Sequence, residues 1–111
     1  MTESQFKQRC RKIAKEHLPD AFIYCPCDSV RAGIPDMLIL FQGVFAAVEL
    51  KLKSNRNKNI LLQEQVLATI QKAGGMTWLL RDDGCGGGTK AFRNIVELIK
   101  TRAGGNNESN N

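Results

Sequence analysis

The sequence has few of the residues that build zinc sites, membrane spans or stacking platforms for bases. A single histidine, His17, is present, and the four cysteines contain no Cys-x-x-Cys pair, which argues against a zinc site. No apolar run approaches the roughly 18–20 residues that a membrane-spanning helix needs, so no membrane partner is expected. Aromatic residues make up only 6% of the chain, and few fall in loops, which argues against recognition by base stacking.

The chain does have a basic surplus within the length of one domain. Its 111 residues suffice for one sheet with surrounding helices but not for two independent cores. The net charge of +5 suits a polyanionic partner such as nucleic acid, although many basic proteins bind none. The polar N-terminus begins a helical pattern rather than a signal peptide, and Cys10 and Cys25 are interpreted as small, reduced apolar residues. We therefore expect a cytoplasmic protein.

Apolar spacing predicts the order helix, strand, strand, strand, helix, strand, helix. The predicted ranges are a helix over 3–16 behind a capping box at Thr2, strands over 21–25, 36–41 and 44–52, a helix over 61–73, a strand over 76–81 and a helix over 91–101. A hairpin followed by a right-handed parallel crossover gives an α/β fold, a mixed four-stranded sheet covered on both faces. Residues 1–102 form the predicted domain, and 103–111 a disordered polar tail.

Strand geometry places charged residues together at the open end of the predicted hairpin. If Gln42 and Gly43 alone form the turn, Asp36 lies opposite Glu49, with Cβ atoms roughly 4.5–5.5 Å apart. Lys51 is two residues beyond Glu49 and projects from the same face. A register slip of one residue sends Asp36 to the other face, and the alternative interpretation is an ordinary surface Glu-Lys pair.

Opposed carboxylates at the end of an apolar hairpin are costly unless a cation lies between them. Oxygen ligands point to Mg²⁺ or Mn²⁺, and the Leu50 carbonyl is a further candidate ligand. Such an ion polarises a phosphoryl oxygen and acidifies a bound water. Lys51 then holds or helps deprotonate the attacking water, or offsets charge on the phosphorus. The residues point to phosphodiester hydrolysis.

The segments Gly33-Ile34-Pro35-Asp36 and Glu49-Leu50-Lys51, with a glutamine on the next helix, resemble the PD-(D/E)xK nuclease superfamily. Within it the match is to the virus-type replication-repair nuclease domain, VRR-NUC, from the first helix to about Arg81. The resemblance implies a restriction-endonuclease-like fold. It also implies metal binding by Asp36, Glu49, the Leu50 carbonyl and Glu3, catalysis by Lys51, and a motif glutamine at Gln63 or Gln65. Glu3 has an alternative interpretation as favourable charge at a helix N-terminus.

Family members that stand alone resemble archaeal Holliday junction resolvases, which are homodimers. The resemblance therefore implies a structure-selective endonuclease for Holliday junctions or other branched DNA in phage replication or recombination, in the cytoplasm of a bacterial host. Basic residues on the loops beside the site are candidate phosphate contacts or simply solvated charges: Arg31, Lys53, Arg56 and Lys58. The alternatives are a non-catalytic branched-DNA-binding module and a nuclease that acts on RNA.

Overall fold

The computed structural model of the chain describes residues 1–26, 33–53 and 60–108, with side chains to residue 105. The elements are α1 (Glu3–His17), β1 (Phe22–Tyr24), β2 (Met37–Phe41), β3 (Val44–Leu52), α2 (Ile60–Lys72), β4 (Met76–Asp82) and α3 (Gly87–Glu108). This is the expected order, and the expected capping box is present, with Thr2 and Gln5 hydrogen-bonded reciprocally. None of the helices described has the length and apolarity needed to cross a membrane.

The four strands form one mixed sheet in the order β1-β2-β3-β4. The β1–β2 and β2–β3 pairs are antiparallel, while β3 and β4 are parallel and joined by α2. The predicted α/β architecture with a mixed four-stranded sheet is therefore confirmed.

The turn between β2 and β3 contains only two residues, as the sequence predicts. Gln42 and Gly43 have φ angles of 48° and 83°, the positive values that a type I′ turn requires at both positions. Phe41 consequently pairs with Val44, and Met37 pairs with Val48 at the far end of the ladder. The next position in this register sets Asp36 against Glu49.

The core lies between one face of the sheet and the two helices α1 and α3. It contains the side chains Phe6, Cys10, Ile13, Leu18, Met37, Ile39, Val48, Leu50, Phe92, Val96 and Ile99, all buried. On the other face, α2 packs on β3 and β4. Helices thus cover both faces of the sheet, as expected. The cover is incomplete on the α2 face over β1 and β2, where Phe22, Tyr24 and Leu40 are 65%, 53% and 48% exposed.

The last helix is longer at both ends than its apolar spacing predicts. It begins at Gly87 because the buried carboxylate of Asp82 accepts a hydrogen bond from the Gly88 N–H, at 2.7 Å, and caps the helix. It extends to Glu108, so residues 103–108 of the expected disordered tail are helical. Ala103 is buried in the core cluster, which explains why the helix continues past Thr101.

Candidate active site

Two carboxylates meet where the β2–β3 ladder ends. Asp36 Oδ2 accepts a hydrogen bond from the Leu50 N–H at 2.8 Å, and the Asp36 N–H donates to Glu49 Oε1 at 3.2 Å. Glu49 is fully buried, while the Asp36 side chain is 18% exposed. The side chain of Asp36 therefore takes the place of a ladder partner, and this fixes it beside Glu49.

The register also orients the Leu50 carbonyl toward this end of the hairpin. A residue in an antiparallel ladder points its N–H and its C=O to the same neighbouring strand, and the Leu50 N–H points to Asp36. The position opposite Leu50 in the register is Pro35, which has no N–H to donate. The carbonyl of Leu50 thus faces the same region as the Asp36 carboxylate, without a ladder donor across from it.

Gly33 brings the segment before Asp36 close to α2. Its φ of +90° is unfavourable for residues with a side chain. A Cβ at this position would lie 2.8 Å from Leu62 Cγ and 3.2 Å from Val66 Cγ2. The glycine of the Gly-Ile-Pro-Asp segment is therefore required for both conformation and close packing, and it determines where Asp36 enters the sheet.

The first helix contributes a carboxylate and an amine to the same place. Glu3 Oε1 accepts from the Leu52 N–H at 3.2 Å, which attaches the start of α1 to the end of β3. The Lys7 ammonium lies 2.9 Å from Asp36 Oδ1 and 3.5 Å from Glu3 Oε2. Glu3 thus lies on the Asp36 side of the site, with the Lys7 ammonium between the two carboxylates, and its expected role as a metal ligand stays a prediction.

Lys51 lies beside Glu49, as the strand alternation predicts. Its ammonium is 4.0 Å from Glu49 Oε2, at the limit of an ion pair, and its side chain is only 9% exposed. Glu49 Oε2 is buried and has no hydrogen-bond partner among the described residues. A buried carboxylate oxygen without a donor is rare in proteins and calls for an explanation.

The pKa values of the two carboxylates are shifted in opposite directions. Burial, reinforced by the neighbouring Asp36, raises the pKa of Glu49 to about 8, and the nearby Lys51 offsets only part of this. Burial also acts to raise the pKa of Asp36, but hydrogen bonds with Glu49, the Leu50 N–H and Lys7 outweigh it and hold that pKa below its ordinary value. Lys7 keeps its charge, because Asp36, Glu3 and Glu49 raise its pKa more than burial lowers it.

The donor set fits a hard divalent cation. The oxygens of Asp36 and Glu49 and the Leu50 carbonyl are the ligand types that Mg²⁺ and Mn²⁺ take, and the lone oxygen of Glu49 lacks the partner that a cation supplies. Across residues 1–26, 33–53 and 60–105, however, no three His, Cys, Asp or Glu side chains converge as a metal cluster. Glu3 is engaged instead by Leu52 and Lys7.

Asp36 and Glu3 border a cavity of about 410 Å³ between α1 and the hairpin, whereas Glu49 is buried behind them and does not line it. Its lining residues are Glu3, Ser4, Lys7, Gln8, Arg11, Cys25, Pro26, Asp36, Met37 and Leu50. One wall is therefore the polar face of α1, with Glu3, Lys7, Gln8 and Arg11, and Asp36 lies on the opposite wall at the end of the β2–β3 ladder.

Comparison with known proteins supports this architecture at the level of the fold. Neither a protein-family model nor a curated protein sequence matches the chain. A solved structure described as a VRR_NUC domain superimposes on 85% of this chain and 94% of its own length, with a TM-score of 0.54 and 21% sequence identity. The chain has the fold of a VRR_NUC domain. The resemblance drawn from the Pro-Asp and Glu-Leu-Lys segments is thus confirmed for the fold.

The glutamine expected on the helix after β3 of this VRR_NUC fold has two candidates that differ in burial. Gln63 is buried on α2, which packs on β3 and β4, whereas Gln65 is exposed. Gln63 thus lies on the side of α2 that faces the sheet bearing Lys51. Burial therefore separates the two candidates, and the role of the glutamine stays a prediction.

The candidate phosphate contacts fall mainly outside the described residues. Arg31, Arg56 and Lys58 lie there, so their expected role stays a prediction. Lys53 is exposed just past the end of β3, and its N–H donates to the Asp82 carbonyl at 2.8 Å.

Lys7 is the site residue that the motif reasoning missed. It is four residues after Glu3, and this i,i+4 spacing places both on one face of the helix. That spacing could have predicted that Lys7 lies beside Glu3. Its contact with Asp36 depends on the packing of α1 against the hairpin, which the spacing does not show.

Proposed function

We propose that this chain is a DNA endonuclease that depends on Mg²⁺ or Mn²⁺ and hydrolyses phosphodiester bonds. The observation that carries the proposal is the buried oxygen Glu49 Oε2, which lacks a hydrogen-bond partner among the described residues and lies beside Asp36 and Lys51. A purely structural carboxylate is saturated with donors. The VRR_NUC fold supports the same conclusion.

In this proposal Asp36, Glu49 and the Leu50 carbonyl hold the metal, with Glu3 beside them. A divalent ion held there would supply positive charge to a phosphoryl oxygen and would acidify the attacking water. Asp36 is suited to this because its lowered pKa keeps it ionised at neutral pH. The ionised form of Glu49, which burial disfavours, is the form that a cation favours.

We assign Lys51 to the attacking water. Hydrolysis joins the water oxygen to phosphorus, breaks the bond to one ester oxygen, and requires a proton to leave the water and another to reach the leaving oxygen. A buried amine beside the metal ligands either orients this water and assists its deprotonation or offsets charge on the phosphorus. Gln63, buried on α2, is assigned a supporting role in positioning.

The proposed substrate is branched DNA, including Holliday junctions, in phage replication or recombination in a bacterial cytoplasm. Lys53, with Arg31, Arg56 and Lys58, is assigned to phosphate contacts. The site contains no aromatic platform among its lining residues, so recognition by DNA shape rather than by base stacking is favoured.

We further propose a homodimer, which would present two active sites to one branched substrate. The supporting observation is a row of exposed apolar side chains across three strands, where Phe22 pairs with Leu40 and Leu40 with Phe45. Apolar patches of this kind mark protein contacts. Light scattering should give twice the chain mass of 12.3 kDa, and Leu40→Lys should shift the mass toward that of one chain.

The test of activity is a panel of labelled substrates incubated with the purified chain in Mg²⁺, Mn²⁺ or EDTA. The panel holds four-way junctions, flaps, linear duplex DNA, single-stranded DNA and RNA. We expect cleavage of branched DNA that requires the divalent ion, with loss of activity in Asp36→Ala and Lys51→Ala. Lys72→Ala is the matched control, because Lys72 is an exposed lysine at the C-terminal end of α2.

Each other outcome has a defined meaning. Full activity in Asp36→Ala or Lys51→Ala contradicts the assigned site. Cleavage of RNA but of no DNA substrate would mean that the chain is a ribonuclease rather than a DNA endonuclease. Junction binding without turnover in any metal supports instead a non-catalytic module that keeps the fold for binding.

A further inference from the structure

A basic stripe on α1 begins at Lys7, which contacts the site, and continues to two residues that the assigned site does not use, Arg11 and Lys15. Arg11 and Lys15 follow Lys7 at successive intervals of four residues, which aligns all three along one side of the helix. We propose that this α1 stripe, defined as Lys7, Arg11 and Lys15, binds the sugar–phosphate backbone of the nucleic acid that enters the active site. The proposal rests on the proposed nuclease function and names a contact surface for it.

The positive charge of the chain is concentrated on this helix. Five of its sixteen Lys and Arg residues, Lys7, Arg9, Arg11, Lys12 and Lys15, fall in the fifteen residues of α1. The inner face of α1 is occupied by buried apolar side chains, and Lys7 is half-buried beside Asp36. The other four basic residues of the helix are exposed on its outer side. Successive stripe residues are about 6 Å apart along the axis, and the stripe spans roughly 12 Å, a length that covers several phosphates of one strand.

The stripe is continuous with the carboxylates. Lys7 contacts Asp36 directly, and Arg11 lines the same cavity as Asp36 and Glu3. Lys15 continues the line away from the site along a second shallow surface shared with Arg11. Lys12 and one carboxylate, Glu16, line this second surface as well, so its cations outnumber its anions three to one. A strand whose scissile phosphate lies at the carboxylates can therefore follow α1 along a predominantly positive surface.

The charges on the outer part of the stripe are available for a ligand. Among the described residues, no carboxylate oxygen lies within 4.0 Å of Arg11 or Lys15, whereas Lys100 on α3 is paired with Glu97. A basic face that serves only solubility needs no alignment with a cavity. This alignment distinguishes a backbone track from ordinary solvated charge.

The experiment compares two double variants that remove equal charge. Arg11→Gln/Lys15→Gln neutralises the stripe, and Lys72→Gln/Arg102→Gln neutralises two exposed residues next to the start of β4, at the opposite end of that strand from Asp82. Glutamine preserves helix propensity. Binding to a labelled four-way junction and to duplex DNA is measured by fluorescence anisotropy in Ca²⁺ over a series of KCl concentrations, and cleavage is measured in Mg²⁺.

We expect the stripe variant to bind at least tenfold more weakly at physiological salt. The slope of the logarithm of its binding constant against the logarithm of the KCl concentration should be shallower by about 1.8, because two phosphate contacts are lost. The control variant should stay within about twofold of the wild type. Arg11→Lys, which keeps the charge, should retain the wild-type salt slope.

Three results overturn the proposal. One is unchanged binding and slope in the stripe variant, provided that its thermal unfolding matches the wild type. Another is an equal loss of binding affinity in both double variants, because the total charge of the chain, rather than the stripe, then explains the binding. The third applies if the stripe variant misfolds: a shallower salt dependence of binding in the folded Arg11→Lys variant then contradicts a charge contact.

The failure of this inference can be told from failure of the proposed function. A wild type that neither binds nor cleaves any nucleic acid contradicts the proposed function itself. A wild type that cleaves, with a stripe variant that binds normally, contradicts only this inference.

Discussion

Glu49 on β3 and Asp82 on β4 are both fully buried, yet their oxygens are satisfied to different degrees. Asp82 accepts from the Gly88 N–H and from the Gly84 N–H, each at 2.7 Å, so both of its oxygens have backbone donors. Glu49 accepts from the Asp36 N–H at 3.2 Å, while its second oxygen has no partner among the described residues. Burial alone therefore does not distinguish the helix-capping Asp82 from Glu49, the carboxylate proposed to bind metal, whereas the completeness of their hydrogen bonds does.

The two carboxylates also belong to opposite faces of the sheet. In the parallel register Asp82 pairs with Leu52, and it points to the side packed by α1 and α3, where it caps the start of α3. Glu49 pairs with Leu79 and shares its face with Lys51. One carboxylate is used to begin a helix whose first N–H groups need acceptors, and the other is buried beside Asp36 and Lys51 with one oxygen unpaired among the described residues.

The largest expected effect separates these two roles by substitution. Glu49→Gln should lower the cleavage rate by well over about 100-fold, because even residues that only support a metal ligand change affinity or activity by about 10–100-fold. Its stability at pH 8 in EDTA should be equal or higher, because a neutral amide replaces a carboxylate whose charge burial disfavours. Cleavage assays and urea unfolding measure the two quantities.

Asp82→Asn is the matched control and should give the reverse pattern. One of the two backbone N–H groups then meets an amide NH₂ instead of an acceptor, which should cost about 1–3 kcal/mol of unfolding free energy. Cleavage below the unfolding transition should stay within a few-fold of the wild type. Equal stability losses in the two variants would contradict the proposed distinction.

A smaller effect is expected from the glycines that support each carboxylate. An alanine Cβ at Gly33 would lie 2.8 Å from Leu62 Cγ, and at Gly88 it would lie 2.8 Å from Phe6 Cζ and 2.9 Å from Asp82 Oδ1. Each substitution should destabilise the fold by about 1–3 kcal/mol through overpacking. Gly33→Ala should also reduce cleavage of the still-folded protein, because it shifts the segment that carries Asp36, whereas Gly88→Ala should not.

Gly74→Ala serves as the control for backbone strain alone. Gly74 has a φ of +107°, but a Cβ at this position would meet no atom within 4 Å beyond its own chain neighbours. Its alanine variant should lose only the conformational term, about 1–2 kcal/mol, with normal cleavage. Thermal unfolding and cleavage rates of the Gly33→Ala, Gly88→Ala and Gly74→Ala proteins test these expectations. Wild-type cleavage by Gly33→Ala would show that the segment before Asp36 can shift without moving that carboxylate.

The arrangement of Asp36, Glu49 and Lys51 could be predicted because strand geometry leaves little freedom. Side chains alternate with a period of two, and a two-residue turn fixes every pair in the hairpin. Lys7 could not be placed this way, because its contact with Asp36 depends on how α1 packs on the sheet. The hydrogen bond that attaches α1 to β3 joins Glu3 and Leu52, which are far apart in sequence.

The start of α3 escaped prediction for a different reason. Its first turn contains Gly87 and Gly88, which have poor helix propensity. The helix begins there because of the Asp82 cap and the close approach of Phe6, both of which are tertiary features. Local propensity is thus a poor guide where a buried carboxylate supplies the missing acceptor.

The last expected effect is a pH dependence of stability that only the unsaturated carboxylate should produce. The ordinary pKa of a glutamate is about 4.5, and that of Glu49 is raised to about 8 in the folded chain. The folded state therefore binds more protons than the unfolded state between these values. The stability that Glu49 contributes is complete below about pH 4.5 and is lost as the pH rises toward 8.

Asp36 does not cancel this slope. Its pKa is lowered in the folded state, so its contribution is already complete above its ordinary value of 3.8 and is lost only as the pH falls below it. In EDTA the melting temperature should thus fall between about pH 5.5 and 8, and the fall should be absent in Glu49→Gln. Mg²⁺ selects the ionised form of Glu49, so the melting temperatures in Mg²⁺ and EDTA should separate further as the pH rises. Scanning fluorimetry across this range measures both trends, and an equal slope in Glu49→Gln would assign the pH dependence to another group.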